Sequence, residues 1–112
     1  MMEETYNTQL YLRMLSEQAG FKNWLMQQTP EEILNHAYEY VTREDILIAA
    51  SFNNLTVEQA KAMLKSPTPL ADVFAKWESW DTNYMENIWE AVTSRADDVI
   101  KIQSVRNRNT ER

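Results

Sequence analysis

Glu32, His36 and Glu39 are spaced to share one face of a helix, and no other group in the chain combines a base with carboxylates so closely. A histidine between two carboxylates is a candidate metal ligand or general base. A di-metal carboxylate centre, however, needs Glu-x-x-His motifs on two helices, and the chain holds one histidine in total. Nucleophilic catalysis meets the same obstacle. Cysteine is absent, and no serine stands at motif spacing from His36. Glu86 with Glu90, and Asp97 with Asp98, read as a solvated helix face. One glycine cannot build a loop that cradles phosphate. His36 therefore reads as a boundary histidine partnered by glutamate. No catalytic residue, metal ligand or cofactor is assigned, and no enzyme activity is expected.

A second constellation offers recognition in place of catalysis. From Trp77 to Glu90, aromatic and acidic residues interleave across a helix junction, and Asp97 and Asp98 follow two turns later. Phe74, Trp77, Tyr84 and Ile88 have the spacing of ordinary core. Trp80, Met85 and Trp89 are harder to bury along with them. Trp, Tyr and Met are enriched where protein interfaces are driest. The candidate partner-binding residues are thus Trp77, Glu78, Trp80, Asp81, Met85, Glu86, Trp89, Glu90, Asp97 and Asp98, with Trp80 and Trp89 as anchors.

Charge narrows the partner. The net charge is −6, unevenly spread. The last nine residues, SVRNRNTER, carry three arginines and one glutamate, +2; the other 103 hold eight basic and sixteen acidic side chains, −8. An acidic body repels phosphate backbones, so it is not expected to bind nucleic acid directly. A basic protein surface suits it better, although acidity also serves solubility alone. The absence of cysteine excludes disulfides and zinc–thiolate sites and is compatible with the cytoplasm, the expected location. No apolar run approaches the ~20 residues that span a bilayer, and no membrane association is expected.

Positioning these residues falls to helices. A single glycine and three prolines leave little material for hairpins, and β-branched residues do not alternate. The expected fold is all-α, a compact irregular array of five to six helices with a long N-terminal and a long C-terminal helix. Residues 1–103 form a single helical domain and 104–112 a basic, disordered tail. The first helix begins around Thr5 to Thr8, after a short lead-in, and runs past a soft point at Gly20 to about Gln28. Thr29, Pro30 and Glu32 start the second, whose buried stripe is Ile33, Leu34, Ala37, Tyr38 and Val41. Thr42, Arg43, Glu44 and Asp45 repeat a capping pattern, so a break near Thr42 is favoured over one long helix. Ile46 to Ala50 is apolar on most faces and belongs at the centre of the core. Thr56 with Gln59 makes a capping box and Leu55 with Ala60 a hydrophobic staple. Thr68 and Pro69 start a fifth helix with Leu70, Val73, Phe74 and Trp77 inward. Asp81, Thr82 and Asn83 form a junction before the sixth, which runs to about Ile102.

Three segments carry a resemblance: EEILNHAYEYVTREDIL (Glu31 to Leu47), LKSPTPLADVFAKWES (Leu64 to Ser79) and SRADDVI (Ser94 to Ile100). They resemble a family of short proteins of unknown function from gut Firmicutes, encoded on conjugative elements and prophages, over about residues 9 to 102. The resemblance implies accessory cargo of mobile DNA. Such cargo often includes small acidic proteins that block restriction or CRISPR defences, sometimes by imitating the charge of DNA. No functional residue carries over. The expected function is a non-enzymatic, acidic interaction protein that inhibits a host defence nuclease at a basic nucleic-acid-binding surface. The alternative is a structural or regulatory subunit of a mobile-element complex, touching DNA through its C-terminal arginines.

Overall fold

The computed structural model describes residues 2–80 and 83–110, and among these every regular element is a helix. They are α1 (Met2–Leu25), α2 (Pro30–Asn35), α3 (Ala37–Phe52), α4 (Val57–Met63), α5 (Pro69–Ser79) and α6 (Tyr84–Thr110). Packing divides the chain into two units, Met1–Trp80 and Asp81–Arg112. The first holds α1 to α5 and the second α6. The sequence reading expected one domain to residue 103 and a loose tail. In the structure α6 continues through Ser104 to Thr110 as helix. None of the described helices is long and apolar enough to cross a membrane.

Local chemistry starts the short helices. The Thr29 hydroxyl accepts from the Glu32 amide at 3.2 Å, and Pro30 occupies the first turn of α2, where it forfeits no helical bond. Thr56 and Gln59 exchange hydrogen bonds of 3.1 and 3.0 Å, completing the capping box of α4. Thr68 and Pro69 open α5 as their order predicts, but the Thr68 side chain caps nothing. Both Thr68 and Ser66 instead bond the Asp72 carboxylate. The first α5 amides, of Leu70 and Ala71, donate to the two carboxylate oxygens of Glu17 on α1, each at 2.8 Å.

Within the first unit α1 is the hub, packing against α3, α4 and α5. Leu10 and Met14 of α1 meet Leu47 of α3 and Leu70 of α5 in the core, with Ile46, Ala50, Leu55 and Met63 packed around them. The helix starts at Met2, earlier than the expected Thr5 to Thr8. Its first turns are useful there: the Asn7 side chain grips the backbone amide and carbonyl of Leu55, both at 2.9 Å. It ends at Leu25, before Gln28, where the amides of Gln27 and Gln28 turn back three residues. Arg13 donates to the carbonyls of Leu64 and Ser66, tying the end of α4 to the hub.

Three expectations are corrected in α2 and α3. The break falls at His36, not Thr42, and α3 runs through the Thr42–Asp45 capping pattern unbroken. At His36 the backbone departs only modestly from helix, and its amide reaches back to Glu32 and Ile33. Packing sets that position, because the His36 ring sits edge-on to Trp24 at 5.3 Å and to Phe21 at 6.3 Å. The stripe of Leu34, Ala37, Tyr38 and Val41 points outward, and only Ile33 is half-buried. Arg43 and Leu47 take the inward positions. Of Ile46 to Ala50, Leu47 is buried and Ile46 and Ala50 flank the core, whereas Ile48 and Ala49 are exposed. An ion-paired arginine outcompetes an aliphatic stripe because its partners, Glu39 and Glu17, already lie on that side.

Glu17 caps a helix from a distant element, so its loss leaves two amide donors unsatisfied. Glu17→Ala is expected to destabilise the chain by about 2–3 kcal/mol. Glu58→Ala, on the exposed first turn of α4, is expected to stay within about 0.5 kcal/mol. Urea unfolding followed by ellipticity distinguishes the two.

Candidate functional site

The sequence-predicted surface falls into two parts, one in each unit. In the first unit, α5 ends in Trp77, Glu78 and Trp80. Trp77 Nε1 donates to the Tyr38 hydroxyl at 3.0 Å, Tyr38 tilts against Phe74 at 6.1 Å, and Trp77 tilts against Trp80 at 5.8 Å. The result is an aromatic ladder running from the buried Phe74 outward. Trp77 is 39 % exposed and Trp80 56 %, so the ladder ends in solvent. Its rigidity comes from the indole–phenol hydrogen bond and from ring contacts that fix both side chains at low entropic cost. Glu78 is exposed alongside. Asp81 lies outside the described residues.

In the second unit, α6 carries Met85, Glu86, Trp89, Glu90, Asp97 and Asp98, all exposed. Helical spacing sorts them. Glu86, Glu90 and Asp97 follow at four and seven residues and share one acidic side; Asp98 turns away from it. Met85, Ile88, Val92 and Val99 make an apolar side. Trp89, three residues after Glu86, stands on the border between the two. Met85 is 71 % exposed and Trp89 66 %. α6 is the sole helix of its unit among the described residues, so nothing else in that unit covers its apolar side.

His36 sits where α2 meets α3, with Nε2 at 3.8 Å from Glu32 and Nδ1 at 3.6 Å from Glu39. Its two predicted carboxylate neighbours are thus in place. Glu39 is shared, however: one oxygen accepts from Arg43 Nη2 at 2.6 Å and Nε at 3.0 Å. Among the described residues no group of three His, Cys, Asp or Glu side chains is gathered to hold a metal ion.

The network around Arg43 escaped sequence reasoning. Arg43 is buried, stacks over the Phe21 ring at 4.2 Å, pairs with Glu39 and lies 4.0 Å from the Glu17 carboxylate. Gln18, buried beside it, donates to the Tyr40 carbonyl at 3.2 Å and to Glu44 at 3.0 Å. Phe21 also stacks on Trp24 and Tyr40. A signal was present: Glu39 and Arg43 stand four residues apart, in the order that favours an ion pair on a helix. Every one of these charges is engaged in holding α1, α3 and α5 together. A separate cavity of about 260 Å³ is lined chiefly by apolar residues of α1, α3 and α4, among them Leu10, Met14, Ile46 and Met63. No charged group lines it.

Because Arg43 both stacks and forks, lysine cannot replace it. Arg43→Lys is expected to cost about 1–2 kcal/mol and Arg43→Met more, since Glu39 then keeps a half-buried charge without its partner. His36→Ala is expected to cost under about 1 kcal/mol, the worth of an edge-on ring contact. Thermal unfolding of the three variants at one pH orders them.

No curated protein and no solved structure matches the chain. Residues 6–100 match the family described as "Protein of unknown function (DUF3848)", and the chain belongs to that family.

Proposed function

We propose that the chain acts by binding a protein partner, without catalysis, and that the partner's surface is basic. The observation that supports this reading is α6, where Trp89 stands exposed between an apolar side and an acidic side of one helix. An aromatic anchor with carboxylates along one side fits a groove with an apolar pocket bordered by Lys and Arg. The Trp77–Trp80 ladder of the first unit supplies a second aromatic–acidic surface of the same character. The −8 charge of residues 1–103 adds long-range attraction to such a groove.

Grooves of that kind are where nucleic acid lies on its enzymes. Together with the resemblance to mobile-element proteins, this makes inhibition of a host defence nuclease, of CRISPR or restriction type, the specific role proposed. A second role has one observation in its favour. α6 carries Arg106 and Arg108 on its last turns, so those cations are presented from a helix. On that reading the chain is a regulatory subunit of a mobile-element complex that touches DNA. A duplex mobility shift lost on deletion of residues 104–112 supports the second role and sinks the first.

Trp89→Ala is expected to weaken binding to the nuclease by ~2 kcal/mol or more, whereas Glu86→Gln with Glu90→Gln weakens it less and flattens its salt dependence. Titration calorimetry at two salt concentrations, on variants of unchanged helicity, reads both effects. If purified CRISPR and restriction nucleases bind neither the wild type nor the variants, the inhibitor role is wrong.

A further inference from the structure

α3 and α6 each carry an apolar line with one charged residue at its middle. On α3 the line is Tyr38, Val41, Asp45, Ile48 and Phe52; on α6 it is Ile88, Val92, Arg95, Val99 and Ile102. All are exposed except Val99, which is half-buried. Both lines step by threes and fours, as a coiled-coil seam does. Read from its C-terminal end, the α6 line takes the same steps as the α3 line read from its start. The α3 line is also rigid. Tyr38 is fixed from α5 through the Trp77 indole, and the rest ride on a helix anchored by buried Arg43 and Leu47. Scattered exposed apolar residues are ordinary, whereas two matched lines have the geometry of a helix pair.

Charge selects the occupant. The α3 line holds no cation and the α6 line no carboxylate. No register of α3 against another α3 therefore gives Asp45 an opposite charge, and the same holds for Arg95 when α6 meets α6. A charge left unpaired in a drying seam is costly. Pairing α3 with α6 antiparallel removes that cost. Tyr38 then meets Ile102, Val41 meets Val99, Asp45 meets Arg95, Ile48 meets Val92 and Phe52 meets Ile88. The parallel pairing sets Asp45 against Val92 and Arg95 against Ile48, so the charges do not face.

Chain reach decides whose α6 it is. Leu70, near the start of α5, meets Leu47, and Trp77, near its end, bonds Tyr38, so α5 finishes at the Tyr38 end of α3. The antiparallel register starts α6 beyond Phe52, which lies about 21 Å further along α3. The four residue steps from Trp80 to Tyr84 span at most about 14 Å. The α6 of the same chain falls short; that of a second copy does not. We infer that the outer line of α3 and the apolar side of α6 are the two halves of a homodimer seam. Each copy's α3 receives the other's α6 antiparallel, Asp45 against Arg95. Two heptads make a short seam, and a twofold dimer makes it twice. This pairing does not rest on the recognition role proposed above, and Glu86, Glu90 and Asp97 stay on positions of α6 turned away from it.

Sedimentation equilibrium of the full chain at about 100 μM should give a dimer. Asp45→Arg sets two cations together at both seams, and Arg95→Asp sets two carboxylates together. Each variant alone should dimerise at least about a hundredfold more weakly, tenfold per seam. An equimolar mixture of the two should dimerise again, because every mixed seam regains a cation opposite a carboxylate. A chain carrying both substitutions should dimerise like the wild type. Both side chains are exposed, so ellipticity should match the wild type throughout. A monomeric wild type overturns the inference, whether α6 then pairs within its own chain or the seam serves another protein. So does a dimer that neither substitution weakens, or a mixture that stays monomeric.

Discussion

The Glu17 carboxylate holds the first unit to its arrangement. Its two oxygens accept from the opening amides of α5, and the same group faces Arg43 of α3. One α1 side chain thereby sets the distance and angle of two other helices. The physics is asymmetric. Each bond adds modestly to stability, but a buried helix terminus without acceptors, or a buried guanidinium without a carboxylate, costs several times more. Arrangements of the helices that separate these groups are therefore penalised, and the apolar core then fills around a register already chosen.

That constraint explains why α3 looks as it does. With Leu47, Ile46 and Ala50 on one side and Tyr38, Val41, Ile48 and Phe52 on the other, apolar periodicity alone permits either side to face the core. Arg43 decides for the side that faces α1, where its guanidinium meets the Phe21 ring and the Glu17 carboxylate while it holds Glu39. The outcome leaves apolar surface in water, which a fold driven by burial alone would avoid. Surface of this kind, on α3 and on α6, is the sort of exposed apolar material that interfaces use in general.

Much of the local structure was legible in the residues. Thr29–Pro30, Thr56 with Gln59 and Thr68–Pro69 mark the starts of α2, α4 and α5, and the helical class follows from one glycine and the absence of alternating strands. Leu70 and Phe74 are inward as their spacing predicts. For the candidate surface, spacing placed Trp77 with the core, apart from Trp80 and Trp89, yet all three are exposed. All three occupy positions that a neighbouring helix could cover, and exposure depends on whether one does.

Sequence by itself determined what is settled within one helical turn: caps, proline starts, charge and composition. Those partners lie three or four residues apart, so their hydrogen bonds form wherever the chain goes. Tertiary structure alone decided which side of α3 is buried, that Glu17 and not Thr68 caps α5, and that the helix breaks at His36. Each of those outcomes depends on groups brought together from distant positions, and on an apolar periodicity that fits two faces until a buried charge chooses between them.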